Sequence, residues 1–121
     1  MRLLHVTYDS LFSPFDPSLR GRLIRAAETI ADLTGLVWKI WLYDDAEHIG
    51  GGLYLFETDT DARAWGDKTL SPLLESLPGI RDIQIRYFDL EERLTALTRG
   101  QLAMARPERE PRRLVPARIT Q

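Results

Sequence analysis

Residues 36–43, Leu36-Val37-Trp38-Lys39-Ile40-Trp41-Leu42-Tyr43, alternate with a period of two. Trp38, Ile40 and Leu42 share one face, and Val37, Lys39, Trp41 and Tyr43 share the other, which is the pattern of an extended strand. Both faces are largely apolar. An antiparallel strand with one wet face would instead place a polar residue at every second position. Its sheet is therefore expected to be covered on both sides. Gly51 to Glu57, GGLYLFE, reads as the partner strand, with Leu53 and Leu55 opposed to Tyr54 and Phe56. The short polar connection from Asp44 to Gly50 makes the pair a hairpin.

Working outward, Arg2 to Tyr8 also alternates, with Leu4, Val6 and Tyr8 against Leu3, His5 and Thr7. Asp16-Pro17 supplies a helix cap and a first-turn proline for Leu19, Leu23, Ala26, Ala27, Ile30 and Ala31, and Gly35 sits where a left-handed glycine would end that helix. After the hairpin, Thr58 to Asp61 offers caps for a second helix through Ala62, Ala64 and Trp65, weakened at Gly66. Ser71-Pro72 is expected to restart a short turn carrying Leu73, Leu74 and Leu77. Arg81 to Phe88 reads as a fourth strand, with Ile83, Ile85 and Tyr87 opposed to Gln84, Arg86 and Phe88. Asp89 with Glu92 resembles a capping box that opens a last helix through Leu94 and Leu97. The order βαββαβ predicts an α+β, ferredoxin-like domain with a four-stranded antiparallel sheet and an extra C-terminal helix, spanning residues 1–103. Residues 104–121, rich in Arg and Pro, read as a flexible or partner-embracing tail.

Two helices cover only one face of such a sheet. A large aromatic side chain left in water forfeits roughly 1.5–3 kcal/mol, and Trp38 with its row-mates would form an exposed apolar patch. An identical sheet related by a two-fold axis is the simplest cover, giving a homodimer. The alternative is that the last helix and tail fold back over that face.

Composition excludes several chemistries. The chain has no cysteine, which removes disulfides, thiolate nucleophiles and cysteine-ligated metals; this is compatible with the cytoplasm expected for it. Its two histidines, His5 and His48, cannot form a three-histidine metal site. No apolar run approaches the roughly 20 residues of a membrane helix. Residues 1–102 carry 11 basic against 16 acidic side chains, so the folded part argues against nucleic acid as a partner. Gly50-Gly51-Gly52 lacks the helix and lysine of a phosphate loop and instead permits a bulge or a close backbone approach. No flavin or nicotinamide fingerprint occurs.

Gly35-Leu36-Val37-Trp38-Lys39-Ile40-Trp41, a polar loop containing His48, and Gly51-Gly52-Leu53-Tyr54-Leu55-Phe56 resemble the G-x-x-W-K-x-W … G-G-x-Y-L-F core of the YdhR-like mono-oxygenases. Pro14-Phe15 and Tyr87-Phe88-Asp89 fit the same pattern over residues 1–103. The resemblance implies a dimeric α/β barrel, related in shape to antibiotic-biosynthesis mono-oxygenases that oxidise aromatic polyketides without metal, flavin or other cofactor. A natural-product pathway and a small aromatic substrate, with dioxygen, follow as expectations. A cyclase or isomerase using the same cleft, or a non-catalytic binding dimer, remains open beside them.

Such chemistry needs an aromatic cleft, an oxyanion donor and one acid–base group. His48, Tyr54 and Tyr8 are the candidates for acid–base or donor roles. Trp38, Trp41, Trp65 and Tyr87 are candidate walls, with His5 as a further contact. Each aromatic also reads as an ordinary core residue. Lys39, between two tryptophans, is expected either to pair with an acid across the dimer or to polarise a substrate oxygen.

Overall fold

The computed structural model describes residues 1–103; the expected tail lies outside the described residues. The first strand, β1 (Arg2–Ser10), leads through a single 3₁₀ turn (Pro17–Leu19) into α1 (Arg20–Ala31). The hairpin β2 (Leu36–Asp44) and β3 (Ile49–Phe56) follows, then α2 (Asp59–Trp65), a π-helical turn (Gly66–Leu70) and α3 (Ser71–Glu75). The chain continues into β4 (Ile80–Asp89) and a short α4 (Glu92–Leu97). The sheet order is β2-β3-β1-β4, every neighbouring pair antiparallel. This is the ferredoxin-like α+β fold: β3 lies between the two strands that α1 connects, and β1 is central.

Capping chemistry sets the element ends. The Asp16 side chain accepts from the Ser18 amide at 2.9 Å, and the Thr58 hydroxyl accepts from the Asp61 amide at 3.1 Å. Gly35 does not cap α1, which ends at Ala31 with Asp32 as its cap; its φ of +76° instead serves the turn into β2, closed by the Leu36 amide on the Leu33 carbonyl at 3.2 Å. The last helix is capped differently from the expectation. Glu91, not Asp89, accepts from the Leu94 amide at 2.8 Å, because Asp89 is drawn to Arg2 Nη1 at 2.7 Å.

The core is Leu4, Val6, Ile30, Leu36, Tyr54, Phe56, Ala62, Leu70 and Leu74, packed between the helices and one face of the sheet. α3 begins at Ser71 with Pro72 in its first turn, as expected, but without a break: Leu70 and Ser71 keep helical dihedrals, so residues 59–75 form one helical run. The Ser71 amide bonds to the Gly66 carbonyl, a wider turn that delivers Pro72, which has no N–H, to the first turn of α3. Gly66 brings this run hard against the sheet. A Cβ there would meet the Tyr87 hydroxyl and lie 3.1 Å from Leu4 Cδ2.

The opposite face carries Leu3, His5 and Thr7 of β1 across from Leu55, Leu53 and Gly51 of β3. Trp38, Ile40 and Leu42 of β2 flank the same β3 row. Trp38 Nε1 donates to the Gln101 carbonyl at 2.9 Å, so the chain after α4 lies against this face at one end. Ile40 remains 48% exposed and Phe88 45% exposed, while Leu55 is fully buried. Among the described residues no helix is long and apolar enough to cross a membrane.

Gly66→Ala is expected to destabilise the fold by about 1–3 kcal/mol through overpacking. Gly21→Ala, whose new methyl would meet nothing closer than Arg25 Nη1 at 3.8 Å, should leave stability unchanged or raise it by up to about 1 kcal/mol. Denaturant unfolding of both variants checks the contrast.

Candidate functional site

On the helix-facing side, β2 presents Lys39, Trp41 and Tyr43 directly across from Tyr54, Gly52 and Gly50 of β3. From the other flank, Leu4, Val6 and Tyr8 of β1 pair with the same three residues. This register depends on a bulge: pairing shifts between Leu36 and Trp38, leaving Val37 as the extra residue. The two glycines leave a strip of strand without side chains. A Cβ on Gly52 would stand 2.9 Å from Lys39 Cε and 3.4 Å from Tyr54 Cε1, and one on Gly50 would stand 3.0 Å from Tyr8 Cε1. Lysine 39 and Tyr8 occupy the room that the glycines leave.

Lys39 Nζ lies 3.3 Å from the centre of the Trp41 ring and 4.7 Å from that of Tyr54. No carboxylate among the described residues forms an ion pair with it. Burial lowers its pKa from the usual lysine range to about 7. The negative ring faces work the other way and favour the ammonium. The amine is thus poised to exchange a proton near neutrality. Burial also raises the hydroxyl pKa of Tyr8 and, more strongly, of Tyr54. Trp65 packs 6.0 Å from Tyr54, centre to centre. Its indole is near enough to oppose the rise at Tyr54, but the pair lies outside hydrogen-bond geometry, so the buried Nε1–H is unpaired.

The loop after β1 completes the site. The buried Ser10 Oγ accepts from the Phe12 amide at 3.0 Å, and Ser13 Oγ accepts from the Phe15 amide at 3.1 Å. These bonds fold Pro14 and Phe15 toward the sheet, where Phe15 meets Tyr43 edge-on at 6.4 Å. Between this loop, α1 and β2 runs a groove of about 300 Å³, lined chiefly by Phe15, Arg20, Leu23, Ile24, Trp41 and Tyr43. An adjoining hollow of about 120 Å³ shares Trp41 and Tyr43 and reaches Tyr8 and Gly50. The groove has the size and apolar character of a small-molecule site. Trp41 belongs to both features: its ring lies under Lys39 Nζ, and it lines the groove.

Of the residues singled out in the sequence, Tyr8, Lys39, Trp41, Tyr54 and Trp65 gather on this side of the sheet. His48 sits in the hairpin turn with φ +56°, exposed, its Nδ1 3.4 Å from the Tyr43 hydroxyl, and so touches the groove through Tyr43. Trp38 and His5 lie on the opposite face, beside Leu55 and Leu53 respectively. Tyr87 faces the helices but belongs to another neighbourhood. Its hydroxyl donates to Asp67 at 2.8 Å, and the Arg63 guanidinium covers its ring at 4.3 Å. Tyr43, Phe15, Arg20, Leu23 and Ile24 were not singled out. The strand period already placed Tyr43 in the row of Lys39 and Trp41; for Arg20 and Ile24 the helical pattern carries no such signal. Among the described residues no three His, Cys, Asp or Glu side chains cluster as metal ligands.

A model of the family described as putative mono-oxygenase ydhR matches residues 3–101 of the chain. No curated protein shows significant similarity to it. Among solved structures, a putative antibiotic biosynthesis monooxygenase from Deinococcus radiodurans superposes with a TM-score of 0.53 at 15% identity, covering 74% of this chain and 92% of that one. MhuD, a heme-degrader from Mycobacterium tuberculosis with two hemes bound in its active site, superposes with a TM-score of 0.50 at 14% identity, covering 74% and 95%. At these identities the likeness is one of fold.

The Lys39 geometry makes stability depend on pH. Its folded pKa of about 7 lies below the unfolded value of about 10.4, so the unfolded chain binds more protons between them. Stability therefore rises with pH across that window, and the gain is absent below it. Lys39→Met is expected to remove a slope on the order of 1 kcal/mol per pH unit. Urea unfolding of wild type and variant from neutral to alkaline pH measures the difference.

Proposed function

Because the chain belongs to the YdhR family of mono-oxygenases, we propose that it oxidises a small, electron-rich aromatic compound, phenolic or anthrone-like, with dioxygen and no bound cofactor. The observation that carries this reading is the aromatic row of Trp41, Tyr43 and Tyr54, which holds an amine without a counter-charge beside a groove of small-molecule size. The substrate ring lies against Trp41 between Phe15 and Leu23. Lys39, as the free amine, takes the acidic proton of the substrate, and the ammonium so formed stabilises the resulting oxyanion. Its flexible stem lets Nζ leave the Trp41 face for that oxygen.

The electron-rich anion then reduces dioxygen by one electron, and the radical pair combines at the ring carbon. Loss of water from the peroxide leaves a carbonyl, so one oxygen atom enters the product and the other leaves as water. Both electron pairs come from the substrate, and no external reductant is required. A heme substrate is less well served by these residues. Both histidines of the chain lie outside the groove lining, at the hairpin turn and on the opposite face.

The remaining exposed apolar surface around Ile40 and Phe88 is the proposed contact of a homodimer, in which the second copy's sheet covers what the chain after α4 leaves open. Sedimentation equilibrium is expected to give twice the chain mass at micromolar concentration, and Ile40→Glu the single-chain mass; a wild-type monomer contradicts the pairing.

With an anthrone substrate, oxygen uptake is expected, with a product that has gained one oxygen and lost two hydrogens. The rate should rise as pH increases through about 7, the value set by burial of Lys39, and Lys39→Met should lower kcat by about 10²–10⁴. A product of unchanged mass, formed without oxygen uptake, would assign the cleft to a cyclase or isomerase instead.

A further inference from the structure

We infer that the groove takes aromatic substrates bearing a carboxylate or similarly ionised group, which Arg20 holds at the solvent edge. This rests on the groove being the substrate site and goes beyond it by naming what the substrate carries. Arg20 is the one charged residue among those lining the groove, and the adjoining hollow is lined by no charged residue. A chain with 18 acidic against 16 basic side chains thus turns only positive charge toward this cavity.

Arg20 is also unspent. Among the described residues, Arg2 and Arg63 form ion pairs with aspartates, whereas Arg20 forms none. Its one hydrogen bond, from Nη1 to the Pro14 carbonyl, is long at 3.4 Å. The acid nearest in sequence, Asp16, is already engaged: its Oδ1 accepts from the amide and hydroxyl of Ser18, both at 2.9 Å. The remaining guanidinium N–H groups are free to form the two-pronged bond with a carboxylate that this side chain makes best. The Pro14 tether keeps the guanidinium beside Phe15, which meets Tyr43 at the same groove. A flat ring lying against Trp41 and Tyr43 thereby finds a cation at its outer end, and Lys39 beyond Trp41 supplies a second for a ring hydroxyl. A hydroxylated aromatic acid matches both.

Calorimetric titration of the full chain with naphthoate and with the neutral isostere naphthamide, at low ionic strength and neutral pH, tests this. Naphthoate should bind at least about tenfold more tightly, the scale of one charge-assisted pair. Arg20→Met should abolish that preference while leaving naphthamide affinity within about twofold, and Arg20→Lys should restore part of it. Equal binding of the two probes by wild type, or an equal loss of both in Arg20→Met, overturns the anionic class and leaves the groove reading standing. No binding of either probe at millimolar concentration overturns both.

Discussion

A single amine held among aromatic rings without a counter-charge sets the terms for this molecule. Lys39 Nζ rests on Trp41 and near Tyr54, and no acid in the described chain answers it. A lysine in that position costs stability unless something compensates. The ring faces compensate in part, and the proton equilibrium absorbs the rest. A residue whose only task was packing would be better served by methionine. The arrangement is costly to the fold, and a strongly perturbed group beside a cleft is what the proposed chemistry draws on.

The surrounding fold exists to hold that row. The bulge at Val37 sets the register that puts Lys39 opposite Tyr54 and Trp41 opposite Gly52. Gly50 and Gly52 withhold side chains at the points where Tyr8 and Lys39 lean over β3. A larger residue at either position would push the cleft side chains out of place, although neither glycine needs an unusual φ. On the far side, α2 and the π turn are pressed so closely on β4 that Gly66 has no space for a methyl. The helices are thus tight over β1 and β4 and looser over β2, where the groove opens between α1 and the aromatic row.

Much of this was legible in the sequence. The alternation of 36–43 and 51–57 gave the hairpin, its two faces, and the shared row of Lys39, Trp41 and Tyr43, because strand period fixes facing without any tertiary knowledge. It could not say which face the helices would cover. Trp38 and Trp41 therefore looked equivalent, although they lie on opposite sides of the sheet. Tyr87 was grouped with Ile83 and Ile85 on one face of its strand, but its place beside Arg63 and Asp67, away from the cleft, depends on strand order. The close fit at Gly66 and the cap at Glu91 depend on Tyr87 and Arg2, residues remote in sequence that local rules cannot weigh. Arg20 was invisible for the same reason: nothing in a helix start reveals which cavity it will border.

Lys39 must be half-buried, unpaired and able to lose its proton near neutrality for the cleft to act as proposed. The chain has only two lysines, Lys39 and Lys68, so a carbon-detected NMR titration of the lysine side chains, assigned with Lys39→Arg, observes the group directly. A midpoint near 7 for Lys39 is the predicted result; a midpoint near the ordinary lysine value of about 10.4 would contradict it.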